Sequence, residues 1–115
     1  MQYLMLIYGE EAGYAALTPE QGQAAMAAFG AFTNEVIEKK MLVGSNRLRP
    51  VSDATSVRVR DGKTLTTDGP FAETREQLGG YYLLECKDLD EAIEYAAKIP
   101  GALWGTIEIR PVWAM

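Results

Sequence analysis

Two arginines one residue apart, Arg47 and Arg49, and a charged run of Asp68, Glu73, Arg75 and Glu76 are the side chains here whose types and spacing could do chemistry. Arginine presents a planar fork of donors that matches a carboxylate or phosphate group through paired hydrogen bonds. Arg47 is therefore a candidate to hold an anionic ligand. A carboxylate becomes a useful base when burial raises its pKa, so Asp68 and Glu73 are the candidate catalytic groups. Arg75 and the hydroxyl of Tyr8 complete the candidate ligand-binding set. The chain has no histidine. It thus lacks the ordinary near-neutral general base, a Ser-His or Cys-His pair, and an imidazole metal ligand. Any acid–base chemistry falls to carboxylates, tyrosines or lysines. No metal site and no cofactor is expected, and no phosphate-binding or dinucleotide-binding glycine motif is present.

Each candidate also has a structural reading, and that reading carries more weight. Asp68 before Gly69-Pro70 fits an Asx-turn, its carboxylate accepting backbone N–H groups. Glu73, Arg75 and Glu76 fit a solvated charged face. Arg47 and Arg49, alternating with Leu48, would share one side of a strand and could guard an exposed edge. Glu108 and Arg110 fit a structural ion pair. Tyr8 fits packing with one satisfied polar tip, and the lone Cys86 fits a structural thiol.

The elements that would position these residues follow from hydropathy patterning. Residues 2–8 are apolar on both alternating sets, Tyr3, Met5 and Ile7 against Leu4, Leu6 and Tyr8. That pattern predicts a strand covered on both faces. Residues 9–17 read as a polar loop. Thr18-Pro19-Glu20-Gln21 is a capping box with proline at the first helical position. The helix it opens carries Met26, Phe29, Phe32, Val36 and Ile37 inward down to Lys40, with Gly22 and Gly30 marking close packing. Residues 41–51 read as a second strand. Residues 56–60 and 63–67 form a hairpin around Asp61-Gly62, a pair that tolerates the positive φ of a type I′ turn. Residues 73–76 read as a short helical turn. Residues 79–86 are a second strand apolar on both sets. Asp88-Leu89-Asp90-Glu91 caps another helix, with Leu89, Ala92, Ile93, Ala96 and Ala97 inward, ended by Pro100-Gly101. Residues 105–112 alternate as an edge strand with one wet face.

The order is strand, helix, strand, inserted hairpin, strand, helix, strand. This is an α+β, ferredoxin-like βαββαβ pattern, whose first and third main strands are central. They are the two strands that read as doubly buried. At 115 residues the chain is one domain, 1–115. Its net charge of −5 argues against nucleic acid and against an anionic membrane surface as partners. No apolar run approaches the roughly 20 residues of a membrane span. With one cysteine and no basic leader at Met1-Gln2-Tyr3, the expected compartment is the cytoplasm.

The run from Asp68-Gly69-Pro70-Phe71 through Glu73-Thr74-Arg75-Glu76-Gln77-Leu78-Gly79-Gly80, together with Tyr3 to Gly9, Gly44 to Pro50, Val57 to Gly62 and Ile107 to Val112, resembles the DGPF family of YCII-related domain proteins. The resemblance covers nearly the whole chain. It implies a dimeric α/β barrel with a cleft at its mouth, and no settled general reaction. It also implies a regulatory or accessory role, since genes of the family often sit near extracytoplasmic-function sigma factors. Some YCII-related proteins are thought to use a His-Asp pair, and many similar sequences carry a histidine where this chain has Trp104. Chemistry needing either histidine does not transfer.

Both helices of a split βαβ unit lie on one sheet face. The apolar residues on the other face would leave a patch larger than a monomer ordinarily exposes, so a homodimer is expected. The leading expectation is a cytoplasmic homodimer holding a small polar or anionic molecule. The alternative is a cofactor-free isomerase, lyase or dehydrochlorinase-like enzyme using Asp68 or Glu73 as base and Arg47 to hold the substrate. A purely structural or interaction protein is the third reading.

Overall fold

In a computed structural model, residues 1–114 are described. The order is β1 (Gln2–Gly9), α1 (Glu11–Ala15), α2 (Pro19–Glu38), β2 (Leu42–Arg47), a 3-10 turn (Val51–Asp53), β3 (Thr55–Arg60), β4 (Lys63–Asp68), β5 (Gln77–Glu85), α3 (Leu89–Lys98), a second 3-10 turn (Pro100–Leu103) and β6 (Thr106–Pro111). Four strands form one sheet in the order β2-β5-β1-β6, while β3 and β4 pair only with each other. β1 and β5 are central and every neighbouring pair is antiparallel. This is the ferredoxin-like α+β arrangement that the patterning predicts.

The long helix starts and stops by local chemistry. Thr18 accepts from the Gln21 N–H while the Gln21 side chain accepts from the Thr18 N–H, so the capping box is complete. At the other end Lys40 takes a left-handed φ of 58°. The Lys40 N–H bonds the Ile37 carbonyl and the Met41 N–H bonds the Val36 carbonyl, which together close a Schellman motif on a non-glycine residue. The hairpin turns at Asp61 and Gly62, both at positive φ, as a type I′ loop requires.

One face of the sheet meets the helices. Tyr3 and Met5 from β1 and Tyr82 and Leu84 from β5 are buried against Phe32 and Val36 of α2 and Ala92, Tyr95 and Ala96 of α3. The rings of Phe32 and Tyr82 meet edge to face at 5.0 Å. The opposite face carries Leu4, Leu6 and Tyr8 beside Tyr81 and Leu83, all half-buried. The expected cover on both faces is therefore not met within one chain, because both long helices pack on the same side.

Several boundaries depart from expectation. Residues 11–15 are a helix rather than loop. Residues 73–76 form no helical turn: 73 and 74 are irregular and 75 and 76 are bends. β2 ends at Arg47, so Arg49 does not share a strand face with it and instead pairs with Asp53 at 2.8 Å. Ile37 in α2, and Leu89, Ile93 and Ala97 in α3, face outward, Met26 is exposed at the open space between α2 and the sheet, and the inward position of α3 missed by patterning is Tyr95. Asp88 caps α3 by accepting from the Glu91 N–H, but Glu91 reaches the Lys87 N–H rather than that of Asp88.

Candidate functional site

The helix-on-sheet layer is filled at one end and hollow at the other. Under the C-terminal half of α2, large side chains meet large side chains. Under its N-terminal half, α2 presents Gly22 and Ala25, and the sheet answers with Ser45, Gly79 and Gly80. A side chain at Gly22 or Gly30 would meet nothing within 4 Å, so these glycines do not mark close packing. The result is a cleft of ≈ 950 Å³. Its walls are Ile7, Tyr14, Leu17, Phe29 and Tyr82, and its polar groups include Glu11, Ser45, Arg47 and Gln77.

Gly80 shows why the strand carries a double glycine. It sits opposite both Ile7 and Arg47, and a Cβ there would lie 2.8 Å from the backbone oxygen of Asn46. The pairing of β1 with β5 slips beside it, between Ile7 and Tyr8, and the Gly79 carbonyl accepts from the Leu48 N–H at 2.9 Å. The chain after β2 is thereby held against the rim of the cleft.

Short helix α1 closes one side. The Glu11 N–H donates to Gln77 Oε1 at 2.9 Å, Glu11 Oε2 accepts from the Val51 N–H at 3.0 Å, and Gln77 Nε2 donates to the Thr74 carbonyl at 2.6 Å. Three separated segments are tied together by two side chains. Trp104 Nε1 donates to the Tyr14 hydroxyl at 2.7 Å, and the indole meets the rings of Tyr14 and Phe29 edge to face. Trp104 thus props α1 from outside the cleft.

Of the five candidates named from sequence, Arg47 alone lines this cleft. Among the described residues it has no acidic partner within salt-bridge distance, unlike Arg49, Arg75 and Arg110. Tyr8 lies on the opposite sheet face. Asp68 closes the last rung of the hairpin opposite Thr55 and is exposed. The expected Asx-turn is absent. The Gly69 N–H bonds Ala54 at 2.7 Å and the Ser56 hydroxyl bonds the Gly69 carbonyl at 2.8 Å, so the turn is held without the Asp68 carboxylate. Glu73 is exposed, and Arg75 reaches back to Glu10 at 3.1 Å with its side chain 92% exposed. The signature contributes its end to the cleft, Gln77, Gly79 and Gly80, rather than its charged middle.

Glu11, Tyr14 and Gln77 are the residues that sequence reading missed. The signal was the run Glu10-Glu11-Ala12-Gly13-Tyr14-Ala15-Ala16, good helix formers interrupted by one glycine. The structural readings of Glu108, Arg110 and Cys86 hold. Glu108 and Arg110 pair at 3.3 Å, and Cys86 is buried, with burial pushing its thiol pKa up and the nearby Glu91 adding to the shift.

The class is thus a ferredoxin-like α+β protein with a ligand-sized cleft between its first long helix and its sheet. The YCII-related domain family model matches residues 1–115. An uncharacterised protein of Rhizobium meliloti (strain 1021) is 37% identical over 114 residues, covering 97% of this chain and 92% of that protein. The chain belongs to the YCII-related domain family.

Proposed function

We propose that this protein is a cytoplasmic homodimer in which each protomer holds a small organic anion with an apolar body, in an accessory or regulatory role. The observation that carries the reading is the cleft, hollow by virtue of small residues on both walls, with Arg47 as a cation without an acidic partner among the described residues. Its volume falls in the range of roughly 300–1,000 Å³ common to small-molecule sites. Mostly apolar walls suit the ligand's body, and the Arg47 guanidinium suits its carboxylate. The homodimer is supported by the half-exposed face of Leu4, Leu6, Tyr8, Tyr81 and Leu83, which an identical face would cover.

Thermal-shift titration with small carboxylates tests the site. Binding raises the melting temperature in a concentration-dependent way. Arg47→Ala removes that shift while leaving the melting temperature of the free protein unchanged. An unaltered shift in Arg47→Ala rules out Arg47 as the anchor.

The alternative, a cofactor-free isomerase, lyase or dehydrochlorinase-like enzyme, needs a carboxylate base beside the ligand. Glu11 lines the cleft and favours this second reading, whereas Asp68 and Glu73 do not reach the cleft of their own chain. Turnover that survives Glu11→Gln would eliminate Glu11 as that base.

A further inference from the structure

Two charged side chains line the cleft, Glu11 from α1 and Arg47 from the end of β2. They are opposite in sign, and they do not pair. Among the described residues neither belongs to an ion pair. Their neighbours in sequence do: Glu10 meets Arg75 at 3.1 Å and Arg49 meets Asp53 at 2.8 Å, both outside the cleft. Each member of the unpaired couple is fixed from a different direction. The Glu11 N–H is held by Gln77 Oε1, and Glu11 Oε2 accepts from the Val51 N–H at 3.0 Å. Its second oxygen, Oε1, accepts no hydrogen bond from the described residues. Arg47 stands opposite Gly80, two residues beyond Ser45 opposite Tyr82, so both side chains rise from the sheet face beneath α2.

The charges lining the cleft therefore sum to zero, in a chain that carries −5. A plain anion drawn to Arg47 is repelled by Glu11 in the same cavity, and a plain cation meets the reverse. A molecule bearing one charge of each sign satisfies both, and brings no net charge into mostly apolar walls. Discrimination arises from attraction and repulsion together, since either single-charge analogue leaves one of the two side chains without a counter-charge.

We infer that the ligand is a zwitterion with an apolar body, the chemistry of a free amino acid or a short peptide. Its carboxylate lies on the Arg47 guanidinium with the Ser45 hydroxyl beside it, and its ammonium donates to Glu11 Oε1. Its apolar body lies against Ile7, Phe29 and Tyr82, which line the same cleft. This rests on the reading of Arg47 as the anchor of an organic anion, and adds the second charge that the ligand must carry. Glu11 is on this account a specificity-determining residue. One of its oxygens pins α1 to the segment after β2, and the other reads the ligand.

The test is isothermal titration calorimetry of the full chain at neutral pH with four probes that share one apolar body. They are phenylalanine, the dipeptide of two phenylalanines, the deaminated acid phenylpropionate and the decarboxylated amine phenethylamine. At least one zwitterion is expected to bind about tenfold or more tightly than either single-charge analogue. Which of the two it is distinguishes a free amino acid from a peptide by the span between the charges. Glu11→Gln is expected to act with opposite signs. It weakens the zwitterion about tenfold and strengthens phenylpropionate, because a repelling charge has gone. The glutamine oxygen still accepts from the Val51 N–H, so the fold is retained, read as an unchanged melting temperature of the free variant. Phenylpropionate that binds wild type as tightly as both zwitterions overturns the inference and leaves Arg47 standing as an anion anchor. A zwitterion preference that survives Glu11→Gln overturns the role of Glu11. Binding by none of the three carboxylates overturns both readings.

Discussion

The two halves of the layer between α2 and the sheet are built from the same backbone geometry and reach opposite outcomes. Beneath residues 32–36, Phe32 and Val36 interlock with Met5, Tyr82 and Leu84, and Val36, Met5 and Leu84 are fully buried. Beneath residues 22–26, Gly22 and Ala25 face Ser45, Gly79 and Gly80 across open space, and Met26 borders that space at 67% exposure. One half is stability and the other is capacity. The difference lies in side-chain volume at a few positions, since a helix held at one end by packing carries its other end over whatever the sheet offers.

Substitutions can break that contrast. The largest effect is expected in the filled half. Leu84→Ala removes a fully buried side chain and should cost roughly 2–5 kcal/mol, read as a lowered denaturation midpoint in urea. A cost well under 1 kcal/mol would mean that the filled half is not tightly packed. Next is the strand junction at the floor of the cleft. Gly80→Ala drives a methyl to 2.8 Å from the Asn46 oxygen, and should cost about 1–3 kcal/mol by the same measurement.

In the hollow half the sign changes. Ala25→Leu extends a cleft-lining side chain into free volume, so stability should hold or rise by up to about 1 kcal/mol. The same variant should abolish the thermal shift given by small carboxylates. If Ala25→Leu destabilises as strongly as Leu84→Ala, the two halves are not different in kind.

The smallest effect belongs to the surface tie between α2 and α3. Lys98 and Lys39 donate to Glu35 Oε2 at 2.8 and 3.2 Å, and Lys39 also donates to the Tyr95 hydroxyl at 2.7 Å. The Lys98 and Lys39 hydrogen bonds hold the Glu35 pKa below its ordinary 4.5. A carboxylate whose pKa is lowered on folding contributes stability above its unfolded value and loses it as pH falls through the folded value. The melting-temperature advantage of wild type over Glu35→Gln should therefore be present at neutral pH and fade below about pH 4.5, through the lowered folded pKa. An advantage that persists at pH 2 would assign it to something other than this tie. Lys39 and Lys98 are shifted upward, Lys39 first by its bond to Tyr95 and Lys98 first by its bond to Glu35. Their contribution is complete below the ordinary lysine value and is lost as pH rises through the shifted one.

Much of the fold was legible because local rules and the global arrangement agree. The doubly apolar runs of β1 and β5 mark the central strands, Thr18 and Gln21 mark a helix start, and Asp61-Gly62 marks a hairpin turn. What misled was reading periodicity as depth. Ile37 falls on the apolar stripe of α2 and still faces solvent, and Met26 on the same stripe borders the open cleft, because the stripe says which side is apolar and not whether the sheet reaches it. Asp68 and Glu73 were singled out by their place in a signature. Their distance from the cleft depends on how far the hairpin carries its return strand from the sheet, which spacing does not encode. Glu11 and Tyr14 were hidden by Gly13, whose low helix propensity outweighed its neighbours in a five-residue helix.

The order of amino acids alone determined the elements, their caps, the central pair of strands and the exclusion of histidine chemistry, because these depend on residues near one another along the chain. The tertiary structure alone decided that small residues from α2, β2 and β5 would stand opposite one another and leave a cavity, with Arg47 at its wall. A void is a property of distances between segments far apart in sequence, and no single segment carries it.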